Sequence, residues 1–362
     1  MTRYLVFNKS TWNEPPRLRH QVTRMVHHYG GEVLFVQKPR FPWRKPTSGD
    51  YGVAEGAISL TRTQQLIHHQ LRIWQPLARL NAAYEKRSIK NNENIHQYGK
   101  DSIILNFNYD YFFLRELFPK NKILTFINDD FVAQAKFFRG NHVKNALAAT
   151  CQISDAVFVV SYPLAEQVSE WCKPILFFPW ADKDYIEQEK FTDRNGVLLW
   201  AQLDRRVDFD LIQQAAKFNP WINFHLVGPV TKDVAHRVQE LEQANVNITV
   251  SGSKQLEHLP MTDFFAAIIP YKKGVKDIEA VTLSNKSLRL MAYGLPLVVH
   301  GMPYFYEHAA IYKAADLEGF NVALRASAKN FSNLQPTIRD FVKTNQMSDR
   351  MSQIWNAVGL CP

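Results

Sequence analysis

The residues best suited to chemistry lie between Ile268 and Gly301, I-I-P-Y-K-K-G-V-K-D-I-E-A-V-T-L-S-N-K-S-L-R-L-M-A-Y-G-L-P-L-V-V-H-G. Lys286 and Arg289 stand three residues apart, on one face of a helix predicted from an N-cap at Ser284 to about Tyr293, with Gly294 and Pro296 closing it. A first helical turn exposes unpaired N–H groups at the positive end of the dipole, so a cation there is unfavourable. Two cations beside free amides make a site for a phosphate or diphosphate. The plainer alternative is a solvated helix with two ordinary charges. A second candidate pair, Asp129 and Asp130, follows the predicted strand Lys122–Asn128. Reactive groups of α/β folds gather at such strand ends, and paired carboxylates raise one pKa toward the range of a general base. Their alternative role is an ordinary helix N-cap.

The elements that must position these groups alternate strand and helix. Strands are expected at Arg3–Asn8, Glu32–Gln37, Ser102–Asn108, Cys151–Ser161, Ile175–Trp180, Gly196–Gln202, Ile222–Gly228, Val246–Ser251, Ala266–Tyr271 and Leu297–His300, with helices at Gln21–Tyr29 and Tyr111–Leu117, one from Pro163, and further helices after residue 307. The loop after the first strand carries Trp12, Arg17, Arg19 and His20, placed for a ligand crevice or for a solvated helix start. Residues 38–100 are the least regular. Gln64–Ala83 reads as a helix with Leu66, Ile67, Leu71, Ile73, Trp74, Leu77 and Leu80 on its apolar side, interleaved with His68, His69, Arg72 and Arg79 and followed by Lys86, Arg87 and Lys90. That pattern fits a membrane-surface helix or a core helix with a basic outer face. His68 and His69 point to different faces and make a poor metal pair. Asp208 and Asp210 fall at a helix start, where acidic residues are favourable without any metal. The whole reads as two doubly wound, Rossmann-like α/β domains facing a cleft.

Composition narrows the class. At 46% hydrophobic and 21% charged residues, 362 residues suit two ordinary soluble domains. Cys151, Cys172 and Cys361 are scattered, which argues for a reducing, cytoplasmic setting and against structural zinc. Residues 1–100 hold 16 Lys+Arg against 6 Asp+Glu, so the net charge of +9 arises in the first third. A basic face meets nucleic acid, anionic lipid or an acidic small molecule, and no nucleic-acid motif accompanies this one. Neither G-x-G-x-x-G, G-x-x-x-x-G-K-[ST] nor G-x-S-x-G occurs.

N-K-S-L-R-L-M-A-Y-G-L-P-L-V-V resembles the segment N/P-x-K-x-x-E-x-x-A-x-G-x-P-V-V of bacterial GT-B-fold glycosyltransferases. The resemblance implies that Tyr271, Asn285, Lys286, Ser287 and Arg289 hold the diphosphate of a nucleotide-sugar donor. Arg205 or Arg206 would join them from L-D-R-R-V-D-F-D, which is similar to the family's donor-domain opening. Arg289 stands where many members carry an acidic residue, which moves the likeness toward the inverting, membrane-associated xanthan-type glucuronosyltransferases. The loop of Trp12, Arg17, Arg19 and His20 resembles that branch's W-x-x-P-x-R-x-R-H, facing the acceptor, and F-I-N-D-D-F resembles the second half of Y-D-x-x-D-D, making Asp129 or Asp130 the base. The family's architecture implies an acceptor domain over 1–180, a linker over 181–195, a donor domain over 196–335 and a C-terminal helix within 336–362 that packs back on the first domain. It further implies metal-independent transfer from a UDP-sugar, with no cofactor beyond that substrate, to a lipid-linked or glycan acceptor in cell-surface polysaccharide synthesis. The basic first third would meet the inner face of the cytoplasmic membrane peripherally. A nucleotide-sugar 2-epimerase and a non-catalytic sugar-nucleotide-binding scaffold are the alternatives.

Overall fold

The apolar runs at 4–7, 33–36 and 103–105 have no polar side to give to water, so they form strands buried on both faces. The computed structural model describes residues 1–14, 17–55, 57–68, 71–72, 75–135, 140–181, 183–187 and 194–360. They divide into two units, Met1–Phe177 with Arg350–Pro362, and Phe178–Asp349.

The first unit contains β1 (Arg3–Phe7), α1 (Leu18–His28), β2 (Glu32–Arg40), β3 (Gly52–Ala54), β4 (Ile58–Gln64), α2 (Gln75–Lys90), α3 (Glu93–Gly99), β5 (Ser102–Asn106), α4 (Leu114–Leu117), β6 (Ile123–Ile127), α5 (Gly140–Gln152), β7 (Ala156–Val159), α6 (Tyr162–Val168) and β8 (Pro174–Leu176). Its sheet runs β3-β4-β2-β1-β5-β6-β7-β8, parallel except for β3. The chain winds outward from β1 to β4, then returns to β1's other side as β5. The ends of β1 and β5 therefore diverge at a switch point.

The second unit contains β9 (Gly196–Trp200), α7 (Phe209–Phe218), β10 (Asn223–Val227), α8 (Ala235–Gln243), β11 (Ile248–Ser251), β12 (Phe264–Pro270), α9 (Lys276–Glu279), α10 (Asn285–Ala292), β13 (Leu297–His300), β14 (Ile311–Ala314) and α11 (Leu317–Lys343). Its parallel sheet runs β11-β10-β9-β12-β13-β14, which puts the switch point between β9 and β12. The last helix, α12 (Met347–Val358), crosses the division, and from Arg350 onward it groups with the first unit.

Several expectations need correction. The helix expected over 64–83 begins only at Gln75, because Asn81 accepts the amides of Leu66 and Ile67 at 2.9 and 2.8 Å and holds that stretch as a loop. Pro76, at the second helical position, suits a helix start. The buried face of α2 is Ala78, Asn81, Ala82, Glu85 and Ile89, whereas Leu71 and Leu80 are 65% and 57% exposed. His69, Ile73 and Trp74 lie outside the described residues, as do 182 and 188–193 of the expected linker and Cys361. Cys151 ends α5 instead of opening a strand. The stretch after residue 307, expected to be all helix, includes the strand β14, and the boundary expected at 335/336 falls inside α11.

Arg72, expected on a basic outer face, is instead buried. It donates to Asp110 at 2.6 Å, to Glu85 at 2.9 Å and to Gln65 at 2.9 Å. Lys9, just past β1, completes the lattice on Asp110 at 2.5 Å. Burial pushes Lys9 below the ordinary lysine value and Glu85 above the ordinary glutamate value, with the opposite charges working against both shifts. Removing one partner strands a buried charge. Arg72→Met is therefore expected to destabilise the first unit by about 3–5 kcal/mol in urea titration, against about 1 kcal/mol for Asp208→Ala, which removes only the α7 cap.

Candidate functional site

At the switch point of the second unit, β12 ends at Pro270 and delivers Tyr271. That tyrosine is held by two neighbouring segments: its amide donates to His300 O at 3.1 Å, and on the 206–207 side it bridges Val207 while Lys272 N donates to Arg206 O at 2.9 Å. Two glycines let backbones close in here. A Cβ on Gly301 (φ +74°) would lie 2.0 Å from Tyr271 O, and one on Gly228 (φ +155°) 1.7 Å from Ala201 O.

The N-cap is Ser284, whose Oγ accepts from Ser287 N at 3.2 Å, leaving the amides of Asn285 and Lys286 uncapped by it. Ser287 is buried and serves this cap, its Oγ 2.7 Å from that of Ser284. Lys286 Nζ donates to the Tyr271 hydroxyl at 3.1 Å and lies 5.2 Å from the ring centroid. Among the described residues no carboxylate pairs with it. Arg289 lies 5.2 Å from the Trp200 ring centroid, and its guanidinium is 3.7 Å from Glu257. Glu257 also pairs with Lys183, which donates to the Tyr293 hydroxyl at 3.3 Å. Lys183 above all holds the Glu257 carboxyl down at about 2. The structure thus brings Tyr271, Asn285, Lys286 and Arg289 to one strand-and-helix end. Glu257, whose segment carries no motif, is the residue that sequence reasoning missed. Trp200, at the end of an expected strand, was within reach of the strand-end rule.

Arg206 is clamped by Asp204 through Nε at 3.0 Å and Nη2 at 2.6 Å. Burial opposes the ionisation of Asp204, yet Arg206 holds it below the ordinary aspartate value. Arg205 is exposed. Asp208 caps α7 through Leu211 N at 3.0 Å, and Asp210 pairs with Arg237. Among the described residues no group of three His, Cys, Asp or Glu is arranged to hold a metal ion.

In the first unit, Asp129 and Asp130 follow β6 as expected but differ in role. Asp130 accepts Ala133 N at 2.9 Å and Gln167 Nε2 at 3.3 Å, the pattern of a turn cap. Asp129 accepts Asn128 Nδ2 at 2.8 Å, and burial pushes it above the ordinary aspartate value against the pull of the nearby Arg19. Arg17 is exposed at the start of α1. Trp12 and His20 turn inward: the Trp12 ring packs 4.9 Å from Phe35 and 5.6 Å from His20. His20 Nδ1 accepts from Arg17 N at 3.1 Å, so its Nε2–H donates to Thr11 O, also at 3.1 Å. Burial pushes its pKa below the ordinary histidine value. These two residues pin the loop that presents Arg17 and Arg19.

No family model and no curated protein matches the sequence. Solved structures do match it in shape. HepE of Anabaena in complex with UDP aligns at TM-score 0.63 and 10% identity, covering 99% of this chain and 100% of that one. WaaG, a glycosyltransferase involved in lipopolysaccharide biosynthesis, aligns at 0.59 and 14%, covering 99% and 100%. The chain has the GT-B fold. An α,α-trehalose-phosphate synthase (UDP-forming) from Burkholderia vietnamiensis shares this GT-B shape at 0.59 and 11%, covering 100% and 98%. TarM aligns at only 0.49, and the chain spans 55% of its length.

The close approach at Gly301 gives a test of how this strand end is framed. Gly301→Ala meets backbone at 2.0 Å, whereas Gly274→Ala (φ +78°) meets nothing within 4 Å. Gly301→Ala is expected to lose at least ~3 kcal/mol by denaturant unfolding, and Gly274→Ala about 1 kcal/mol, from backbone strain alone.

Proposed function

We propose that this chain is a glycosyltransferase that moves a sugar from a nucleoside-diphosphate donor, a UDP-sugar in the first instance, to a glycan or lipid-linked acceptor. The observation that carries this reading is Lys286: a cation at the positive end of α10 with a phenol beside it and, among the described residues, no carboxylate. A diphosphate supplies the missing charge, meeting Lys286 and the first-turn amides, with Arg205 in reserve from the β9–α7 loop. The HepE structure is a complex with UDP and the trehalose-phosphate synthase is UDP-forming, which supports uridine as the nucleoside.

In the proposed reaction the acceptor oxygen bonds to the anomeric carbon as that carbon's bond to the diphosphate breaks. The electron pair leaves on the diphosphate, where Lys286 and the helix amides stabilise it without a metal ion. Asp129 takes the acceptor proton, because Asp130 is committed to its turn. A single displacement of this kind inverts the anomeric carbon. Arg17 and Arg19 are the acceptor-side cations. Peripheral attachment to the inner face of the cytoplasmic membrane, in cell-surface polysaccharide synthesis, completes the proposal. It draws on exposed Arg79, Lys90, Leu71 and Leu80, and not on buried Arg72 or on Lys86, which pairs with Glu116. No helix among the described residues is long and apolar enough to cross a membrane.

Calorimetric titration with UDP, GDP, CMP and dTDP should give micromolar binding of UDP, with Lys286→Ala losing about 1–3 kcal/mol. Absence of binding by every nucleotide would remove the donor assignment. Asp129→Asn should cut turnover by roughly 10²–10⁴-fold while leaving UDP affinity unchanged. Since the base acts deprotonated, kcat/KM should fall as pH drops through the raised pKa of Asp129. Arg19 lowers that pKa, so Arg19→Ala should move the acid limb to higher pH. Loss of turnover in Asp130→Asn but not in Asp129→Asn would reverse the choice of base.

A further inference from the structure

A cavity of about 440 Å³ opens in the first unit between the end of β4, the segment before β3 and the outer side of α2. That volume lies within the ~300–1,000 Å³ range of small-molecule sites. Tyr51 and Tyr84 bring aromatic rings to it, and Arg62, Arg87, Gln64 and Asn91 bring hydrogen-bonding groups. Its chemistry is one-sided. No Asp or Glu is among its lining residues, and Asp50, the carboxylate paired with the lining Arg62 at 3.1 Å, is 1% exposed and also accepts from the Thr47 hydroxyl at 2.7 Å. Gln64 Oε1 is taken by the Tyr84 hydroxyl at 2.9 Å, and Ser88 Oγ accepts Gln64 N at 2.8 Å, so these hydrogen bonds fix the wall and leave the Gln64 Nε2 donors over. Arg87 is exposed and has no hydrogen-bond or ion-pair partner among the described residues. Fixed donors, guanidinium groups and aromatic faces in one polar cavity suit a ligand with many hydroxyls, a carbon-rich ring face and a negative charge.

We infer that this cavity is a binding site for an acidic saccharide, with Arg87 as the cation that pairs with its carboxylate and Tyr51 and Tyr84 as the faces on which its rings lie. Its lining shares no residue with the proposed donor and acceptor sites, and it does not depend on the glycosyltransferase reading. It takes a saccharide unit whether or not the chain transfers one.

The test is calorimetric titration of the full chain with trigalacturonate, with maltotriose as the neutral counterpart and inorganic phosphate as the bare anion. Trigalacturonate should bind, and Arg87→Ala should weaken it by roughly tenfold, the size of one charge-assisted contact. Tyr51→Ala should weaken it as well, and neither variant should change UDP affinity or the unfolding midpoint. Arg87→Lys should recover only part of the loss, because an ammonium cannot grip a carboxylate through two parallel bonds. Maltotriose or phosphate binding as tightly as trigalacturonate overturns the inference, as does trigalacturonate binding that Arg87→Ala leaves intact or no binding at all. Sedimentation of the chain with phosphatidylserine vesicles that falls with Arg87→Ala, in the absence of trigalacturonate binding, also overturns it and assigns the cations to lipid.

Discussion

A lysine ammonium at the positive end of a helix has to be held there by something other than the helix. The field at a first turn disfavours Lys286 by about 0.3–1 kcal/mol, and what offsets this is Tyr271, whose hydroxyl accepts from Nζ and whose ring lies 5.2 Å away. Much of the second unit's local structure serves that contact. β12 must end where it does, the residues after it must be bridged to 206–207 and to His300, and position 301 must lack a Cβ for the backbones to approach. Arg289, one turn on, is dealt with differently: Trp200 and Glu257 absorb its charge, and Lys183 keeps Glu257 ionised. Of the two cations on that face, one is neutralised by the protein and one is left for an anion.

The first unit solves a related problem with the opposite outcome. At the divergence of β1 and β5 it buries Lys9, Asp110, Arg72 and Glu85 in a closed lattice. Buried ion pairs of this sort add little net stability but penalise every rearrangement that separates them, and so fix the loops after β1 and β5. Those fixed loops, with the Trp12–His20 packing, leave Arg19 beside Asp129. Burial then sets the carboxyl's proton affinity while the guanidinium limits how far it rises.

What the sequence made legible was local. The Ser284 cap, the helix after it and β13 follow from rules spanning a few residues, and β13 was read at its observed bounds. The strand ends placed Asp129 and Tyr271 correctly because parallel sheets expose them there. The misreadings came from contacts that no window sees. Asn81 drew the amides of Leu66 and Ile67 out of an otherwise helical pattern from 14–15 residues away. Glu257 reaches Lys183 across 74 positions, and Asp110 reaches Lys9 across 101. Trp12 and His20 have the residue types of a ligand loop, and only the sheet beneath them shows that they pack inward.

The most direct measurement is a crystal structure with UDP bound, read for the position of its β-phosphate. The account predicts that phosphate within hydrogen-bond distance of Lys286 Nζ and of the Asn285 or Lys286 amide, with the Tyr271–Lys286 contact kept or exchanged for the phosphate. A diphosphate seated instead on Lys183 and Arg289, or away from α10 altogether, would contradict it, and Lys286 would then be a cation held by Tyr271 alone.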